Sequence, residues 1–219
     1  MERSLHSSLK PGTVLYVGAD LDTMWHQIFY HVWWPGQGND PMYLANTTMN
    51  RARNNYYGNN YTPHMYTNGR DSGSNPNNWK EDPRGYLSNV GLYEIAIKGS
   101  SAVNSISFEV ISNSLITTGS SSDIRLYVST VMGLVKYPNS PNGLTDHYDA
   151  VIELVTGNDG KKMKYISNLD YIESFNWSMP TNWINHNSIN WKSEDIKVVA
   201  WIQNYNSKEI LQVASFNFD

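Results

Sequence analysis

From residue 91 onward the chain alternates apolar and polar residues with a period of two, and this pattern limits the possible fold more than any other feature. The segments that show it are 103–111, 123–131, 149–155, 172–179, 195–203 and 208–218. Successive side chains of a β-strand point to opposite faces of the sheet, so such segments are typical of strands with one buried face. Turn sequences separate them, which predicts an antiparallel β-sandwich over residues 91–219.

Residues 1–90 show a different pattern, in which helical and strand-like segments alternate. Apolar residues recur at helical spacing across 39–58, where Asp40 and Pro41 suit a helix start and Gly58 suits its end. A single helix is therefore predicted over this segment. A short helix is also predicted over residues 2–9, where two leucines lie one turn apart.

Strands are predicted on either side of the long helix. TVLYV at 13–17 and IFYHVWW at 28–34 are rich in strand-forming residues, and a helical pattern over 20–28 competes with the second of them. YTPHMYTNGR predicts a strand at 63–67 followed by a tight Asn-Gly hairpin turn. Residues 75–91 indicate a helix broken at a proline, and we place a domain boundary near residue 90.

The composition excludes several classes of function. The net charge is −4 without a strong basic patch, so the electrostatic footprint of a nucleic-acid-binding protein is missing. No apolar run is long enough for a transmembrane helix, and the first residues do not have the pattern of a signal peptide. The chain has 0 cysteines, which excludes thiol catalysis and thiolate metal sites within it.

Two segments together resemble a known family. Residues 30–69, YHVWWPGQGNDPMYLANTTMNRARNNYYGNNYTPHMYTNG, and residues 197–216, KVVAWIQNYNSKEILQVASF, are similar to the bacterial outer-membrane-protein family related to the twenty-eight-kilodalton outer membrane protein. The resemblance implies an α+β chain, with a thioredoxin-like α/β domain over 1–90 and an Ig-like β-sandwich over 91–219. It also implies an extracytoplasmic location, in the periplasm or at the cell surface.

The chain departs from this family at its start. Many members carry Cys-x-x-Cys just before a helix that reads much like ERSLHSSL, whereas this sequence begins with Met1 at that point. The expected result is a truncated thioredoxin-like remnant without a nucleophile for thiol–disulfide exchange. An unpaired sheet edge is expected there, covered either by TVLYV or by association of copies of the chain.

The resemblance also implies a candidate ligand site. Thr62, Pro63 and His64 correspond to the cis-proline segment that borders the family's cleft, and Trp33 and Trp34 would supply an apolar wall. An extended peptide can pair with the backbone beside such a proline. The alternative is a loop that only closes the fold.

A second candidate site is the tryptophan-rich stretch FNWSMPTNWINHNSINW. Exposed rings of Trp183 and Trp191 could stack on sugars, whereas the alternative is that these rings secure a long loop by packing against the sandwich. The six histidines have no familiar metal-ligand spacing, and no nucleophile elbow or nucleotide fingerprint occurs, so no metal, cofactor or catalytic residue is predicted.

These observations predict a non-catalytic envelope or cell-surface protein with a binding, adhesion or assembly role. Its partner would be a protein, a peptide or a glycan, and a homo-oligomer could form through an exposed sheet edge. The alternatives are an N-terminally truncated exported thiol-disulfide oxidoreductase and a carbohydrate-binding module.

Overall fold

The chain folds as a mostly β protein with short helices, described here from a computed structural model. The structure describes residues 26–34, 36, 38–86, 89–184, 186–192 and 195–218, together with the backbone of 13–17. The predicted helix at 2–9 and most of the helical alternative at 20–28 lie outside these residues. Helices and strands both occur among the described residues, in agreement with the predicted α+β class.

Thirteen strands are described, and we number them in chain order. They are β1 Thr13–Val17, β2 His26–Tyr30, β3 His64–Thr67, β4 Arg70–Gly73, β5 Tyr93–Ala102, β6 Ser105–Ser114, β7 Ile124–Lys136, β8 Asp146–Leu154, β9 Lys161–Met163, β10 Tyr171–Ser178, β11 Asn190–Trp191, β12 Ile196–Asn204 and β13 Ile210–Asn217. The helices are α1 Pro41–Ala45, α2 Thr47–Tyr57, α3 Pro76–Glu81, a 3-10 helix Asp82–Tyr86 and α4 Thr181–Ile184.

The strands form two sheets. The larger sheet is mixed, has ten strands and follows the order β13-β12-β7-β8-β2-β1-β3-β4, with β9 and β11 also paired to β7. The smaller sheet is antiparallel, with the order β10-β6-β5. A parallel pairing of β2 with β8 places strands from both sides of residue 90 in one sheet.

The middle of the larger sheet is buried on both faces. In β12, Val198, Ala200 and Ile202 pack into a first core shared with the smaller sheet. The alternate residues Val199 and Trp201 pack into a second core shared with β2, β3 and α2. The prediction of one polar face is wrong for β12, because a strand in the central layer of three has no face toward water.

The predicted helix over 39–58 is two helices. Asn46 ends α1 and caps α2, because its backbone leaves the helical region at φ −152° and its side chain accepts a hydrogen bond from the Met49 N–H. Gly58 ends α2 in the left-handed region, as its position in the sequence predicts. Asparagine at an internal position competes for backbone hydrogen bonds, which explains the break.

Other local predictions have mixed outcomes. The hairpin turn at Asn68 and Gly69 is confirmed, with φ of 51° and 82°. The strand run predicted to reach residue 34 stops at Tyr30. The break predicted in the helix over 75–91 is observed, since α3 ends at Glu81 and Pro83 lies in the 3-10 helix that follows. Strand β5 was not predicted.

The segment TVLYV forms β1, which lies inside the larger sheet between β2 and β3. Strand β1 thus pairs with the strands whose edge was expected to be exposed in the N-terminal part of the sheet. Association of copies of the chain through a sheet edge stays a prediction. Among the described helices, none combines the length and apolar character needed to cross a bilayer.

Candidate functional site

The register of the larger sheet brings the segments predicted to border a cleft to one end of it. Thr13 at the start of β1 is paired both with Tyr30 at the end of β2 and with His64 at the start of β3. Residues 31–34 and 61–63 therefore leave the sheet at the same end. The peptide bond between Thr62 and Pro63 is cis, as the resemblance implies.

His64 is held on all sides at this end of the sheet. Its side chain is buried, with Nδ1 bonded to Asn59 Oδ1 and Nε2 lying 2.7 Å from Asp71 Oδ1. Its ring stacks between Tyr61 and Tyr66, with centroid distances of 4.2 and 4.4 Å. Both ring nitrogens of His64 therefore already lie against side-chain oxygens, and the ring is fixed between Tyr61 and Tyr66.

Trp33 and Trp34 follow β2 at this end of the sheet, and their half-buried rings form an aromatic wall. Their rings meet edge to face with centroids 4.5 Å apart, and Arg51 lies over the Trp33 ring at 5.0 Å. Arg51 Nε also donates a hydrogen bond of 2.6 Å to Tyr43 Oη. The wall is therefore apolar with a fixed positive charge at its border.

Two histidines and an aspartate lie close together at the start of α1. His31 Nδ1 is 2.8 Å from Asp40 Oδ2, and the His31 and His147 rings lie 6.0 Å apart. Burial acts to raise the pKa of Asp40, but the His31 ring and the N–H groups that begin α1 outweigh it and hold that pKa below its ordinary value. Burial, aided by His31, lowers the pKa of His147.

The lowered pKa of His147 predicts a pH-dependent stability. Below its ordinary pKa of about 6.5 the unfolded chain binds a proton that the folded chain does not, so stability falls as pH decreases from about 7 to 5. We expect His147→Gln to flatten this part of the profile, measured by urea unfolding across the range. Tyr148→Gln, at an exposed neighbouring position, should keep the wild-type slope. An unchanged slope in H147Q would contradict the assignment.

The tryptophans of the second candidate site are buried. Trp177, Trp183 and Trp191 are 6%, 7% and 7% exposed and belong to the first core. The rings of Trp183 and Trp191 stack on each other with centroids 4.8 Å apart. Neither ring therefore presents a free face to a sugar, and both have the packing role that was the alternative to sugar binding. Trp191 lies on β11, which pairs with β7 and not with the strands next to Pro63.

Sequence reasoning missed the most heavily enclosed charged residue, Arg53. The apolar stripe predicted for this helix includes Met49, Ala52 and Tyr56, whereas α2 buries Met49, Arg53 and Tyr57. These three residues are spaced by four, so they share one face of the helix. Arg53 lies four residues from Met49 and from Tyr57, and this spacing indicates that it shares their buried face. Because arginine is charged, the apolar pattern did not include it.

The described residues contain no group of three histidine, aspartate or glutamate side chains placed to hold a metal ion. The predicted absence of a metal site stays a prediction.

Comparisons with known proteins give distant structural likenesses. No family model matches the chain, and no curated protein matches its sequence. A domain of the outer membrane lipoprotein Omp28 from Porphyromonas gingivalis is similar at a TM-score of 0.40 and 12% identity, covering 60% of this chain and 91% of that one. A beta-glucosidase from Kluyveromyces marxianus is similar at a TM-score of 0.27 and 11% identity, covering 62% of this chain and 15% of that one. Both TM-scores lie below 0.5, so these likenesses define neither the fold nor the function of the chain.

Proposed function

We propose that this chain is a non-catalytic binding protein of the bacterial cell envelope, whose ligand site is the end of the larger sheet around Pro63. The observation that carries the proposal is the register that brings Trp33 and Trp34 to the same end as Thr62 and Pro63. Both ring nitrogens of His64 are engaged by Asn59 and Asp71, which supports a binding role for the site over acid–base chemistry by His64.

The site is suited to an extended peptide. Tyr61 is 41% exposed and offers an aromatic face, while Thr62 and Pro63 are half-buried beside it. The Asp71 side chain is 63% exposed and Arg51 is exposed, so charges of both signs border the site. Aromatic faces supply contact area, and flanking charges select and orient a peptide.

The remaining parts of the proposal rest on the sequence resemblance. These parts are the envelope location, the adhesion or assembly role, the thioredoxin-like identity of residues 1–90 and the Ig-like identity of residues 91–219. Assembly of copies through a sheet edge belongs to the same group. The oxidoreductase and carbohydrate-binding alternatives have no specific support from the described geometry and stay predictions.

Binding to an array of extended octapeptides tests the proposal. We expect a selected subset of sequences to bind, and we expect Trp33→Ala and Tyr61→Ala each to weaken that binding about tenfold, as loss of an aromatic contact usually does. Tyr148→Ala is the matched control, because Tyr148 is 57% exposed and lies on β8. Retention of full binding by both site variants, or an equal loss in Y148A, would contradict the proposed site.

A further inference from the structure

Arg53 lies inside the second core, and no acidic side chain among the described residues pairs with it. Its side chain is 1% exposed, and the polar groups nearest to its charge are tyrosine hydroxyls and not carboxylates. None of the ion pairs formed within the described part of the chain includes it. A buried guanidinium normally needs a counter-charge, because desolvation of an unpaired ion is costly.

Aromatic rings surround the guanidinium and replace part of that counter-charge. The Arg53 Cζ lies 4.8 Å from the ring centroids of Tyr56 and Tyr127, 5.1 Å from that of Tyr57, and 5.7 Å from those of Tyr30 and Trp201. Ring faces attract a cation, but they accept the in-plane N–H groups of a guanidinium poorly.

Four polar atoms in this cluster have no hydrogen-bond partner among the described residues. They are Arg53 Nε, Arg53 Nη1, Tyr30 Oη and Tyr127 Oη, and all four are buried. Arg53 Nη2 is satisfied by a 3.3 Å hydrogen bond to Tyr57 Oη. Two of these atoms are guanidinium donors and two are hydroxyls, which can donate and accept. Unpaired buried polar groups are rare in folded proteins, so four of them around one cation indicate a missing hydrogen-bond partner.

The tyrosines cannot supply the negative charge themselves. Burial raises the pKa of Tyr127 to about 12, and burial also raises the pKa of Tyr30 above its ordinary value, against the opposing effect of Arg53. Both hydroxyls therefore stay protonated at neutral pH and act as donors. The cluster has a net positive charge and a surplus of donors, which is the chemistry of an anion site.

We propose that the second core binds a small monovalent anion of the halide class, held by Arg53 Nε and Nη1 and by the hydroxyls of Tyr30 and Tyr127. These groups come from α2, β2 and β7, so the anion would join the helix to two strands of the larger sheet. The role is structural, and it is independent of the peptide site at Pro63.

Thermal unfolding in sodium chloride and in sodium gluconate, at equal ionic strength, tests the proposal on the full chain. A ligand that binds only the folded state raises the melting temperature by roughly 3–6 °C at ten times its Kd for a chain of this size. We expect this increment in chloride alone, and we expect Arg53→Met to abolish it. Arg84→Met is the matched control, since Arg84 is 63% exposed and should keep the full increment.

A second, more conservative variant allows the proposal to be tested even if R53M does not fold. Tyr127→Phe keeps the ring and removes one donor, so we expect the chloride concentration at half effect to rise at least threefold. Crystals soaked in sodium bromide should show an anomalous peak within hydrogen-bond distance of Arg53. Equal melting temperatures of the wild type in chloride and gluconate, or only a water molecule beside Arg53, would overturn the proposal.

Discussion

Replacing Gly69 by alanine is expected to lower the free energy of unfolding by roughly 2–5 kcal/mol, from left-handed strain and steric overlap together. Gly69 has a φ of 82°, where a Cβ atom is strained in any surroundings. A Cβ there would also lie 1.7 Å from the carbonyl oxygen of Lys208, in the turn between β12 and β13. Backbone atoms cannot move aside as a flexible side chain can, so the two turns would separate.

The control for this prediction is Gly143→Ala. Gly143 has a similar φ of 78°, but no atom lies within 4 Å of its Cβ position. It should therefore show only the left-handed strain of about 1–2 kcal/mol. Urea unfolding of the two variants separates conformational strain from the clash with Lys208. A loss in G69A no larger than that in G143A would show that the two turns do not touch in solution.

Trp201→Ala is the second change with a large expected effect, a loss of about 3–5 kcal/mol in the free energy of unfolding. Trp201 is 0% exposed and lies on the face of β12 that packs into the second core. Its ring stacks on Tyr127 with centroids 5.2 Å apart and an interplanar angle of 9°. Truncation would leave a cavity between two strands and α2, which the rigid central layer cannot fill.

Two further variants make the Trp201 result interpretable. Trp201→Phe keeps an aromatic ring in the stack and should lose less than half as much stability as W201A. Trp79→Ala removes a half-buried ring on α3 that donates one hydrogen bond to the Gly73 carbonyl and packs against Met65, so the expected loss is about 1–2 kcal/mol. Equal losses in W201A and W79A, measured by urea unfolding, would contradict the central position of Trp201.

Both changes act on the contact between the two halves of the chain. Gly69 lies in the turn after β3 and meets the turn after β12, while Trp201 on β12 packs in one core with Met49 of α2. The boundary near residue 90 stays a prediction. The larger sheet and the second core nevertheless continue across it, so residues on each side contribute to the stability of the other.

Some features of the candidate site depend on neighbouring residues and could be predicted, whereas others depend on residues brought together by the fold. The turn at Asn68 and Gly69 and the helix end at Gly58 were predictable, because left-handed backbone geometry selects these residue types locally. The resemblance pointed to Pro63 and the two tryptophans of the wall. The fixed role of His64 was not predictable, because its partner Asp71 reaches it only through the β3–β4 hairpin.

The sequence by itself determined the β-rich class, the hairpin turns and most strand positions, because each depends on residues only a few places apart. The tertiary structure alone decided which strands have two buried faces and which charge is enclosed. Arg53 appears in the sequence as an ordinary helix residue, and it becomes a buried cation only when Tyr30, Tyr127 and Trp201 arrive from distant strands. Burial depends on contacts made across the whole chain, so no local pattern contains it.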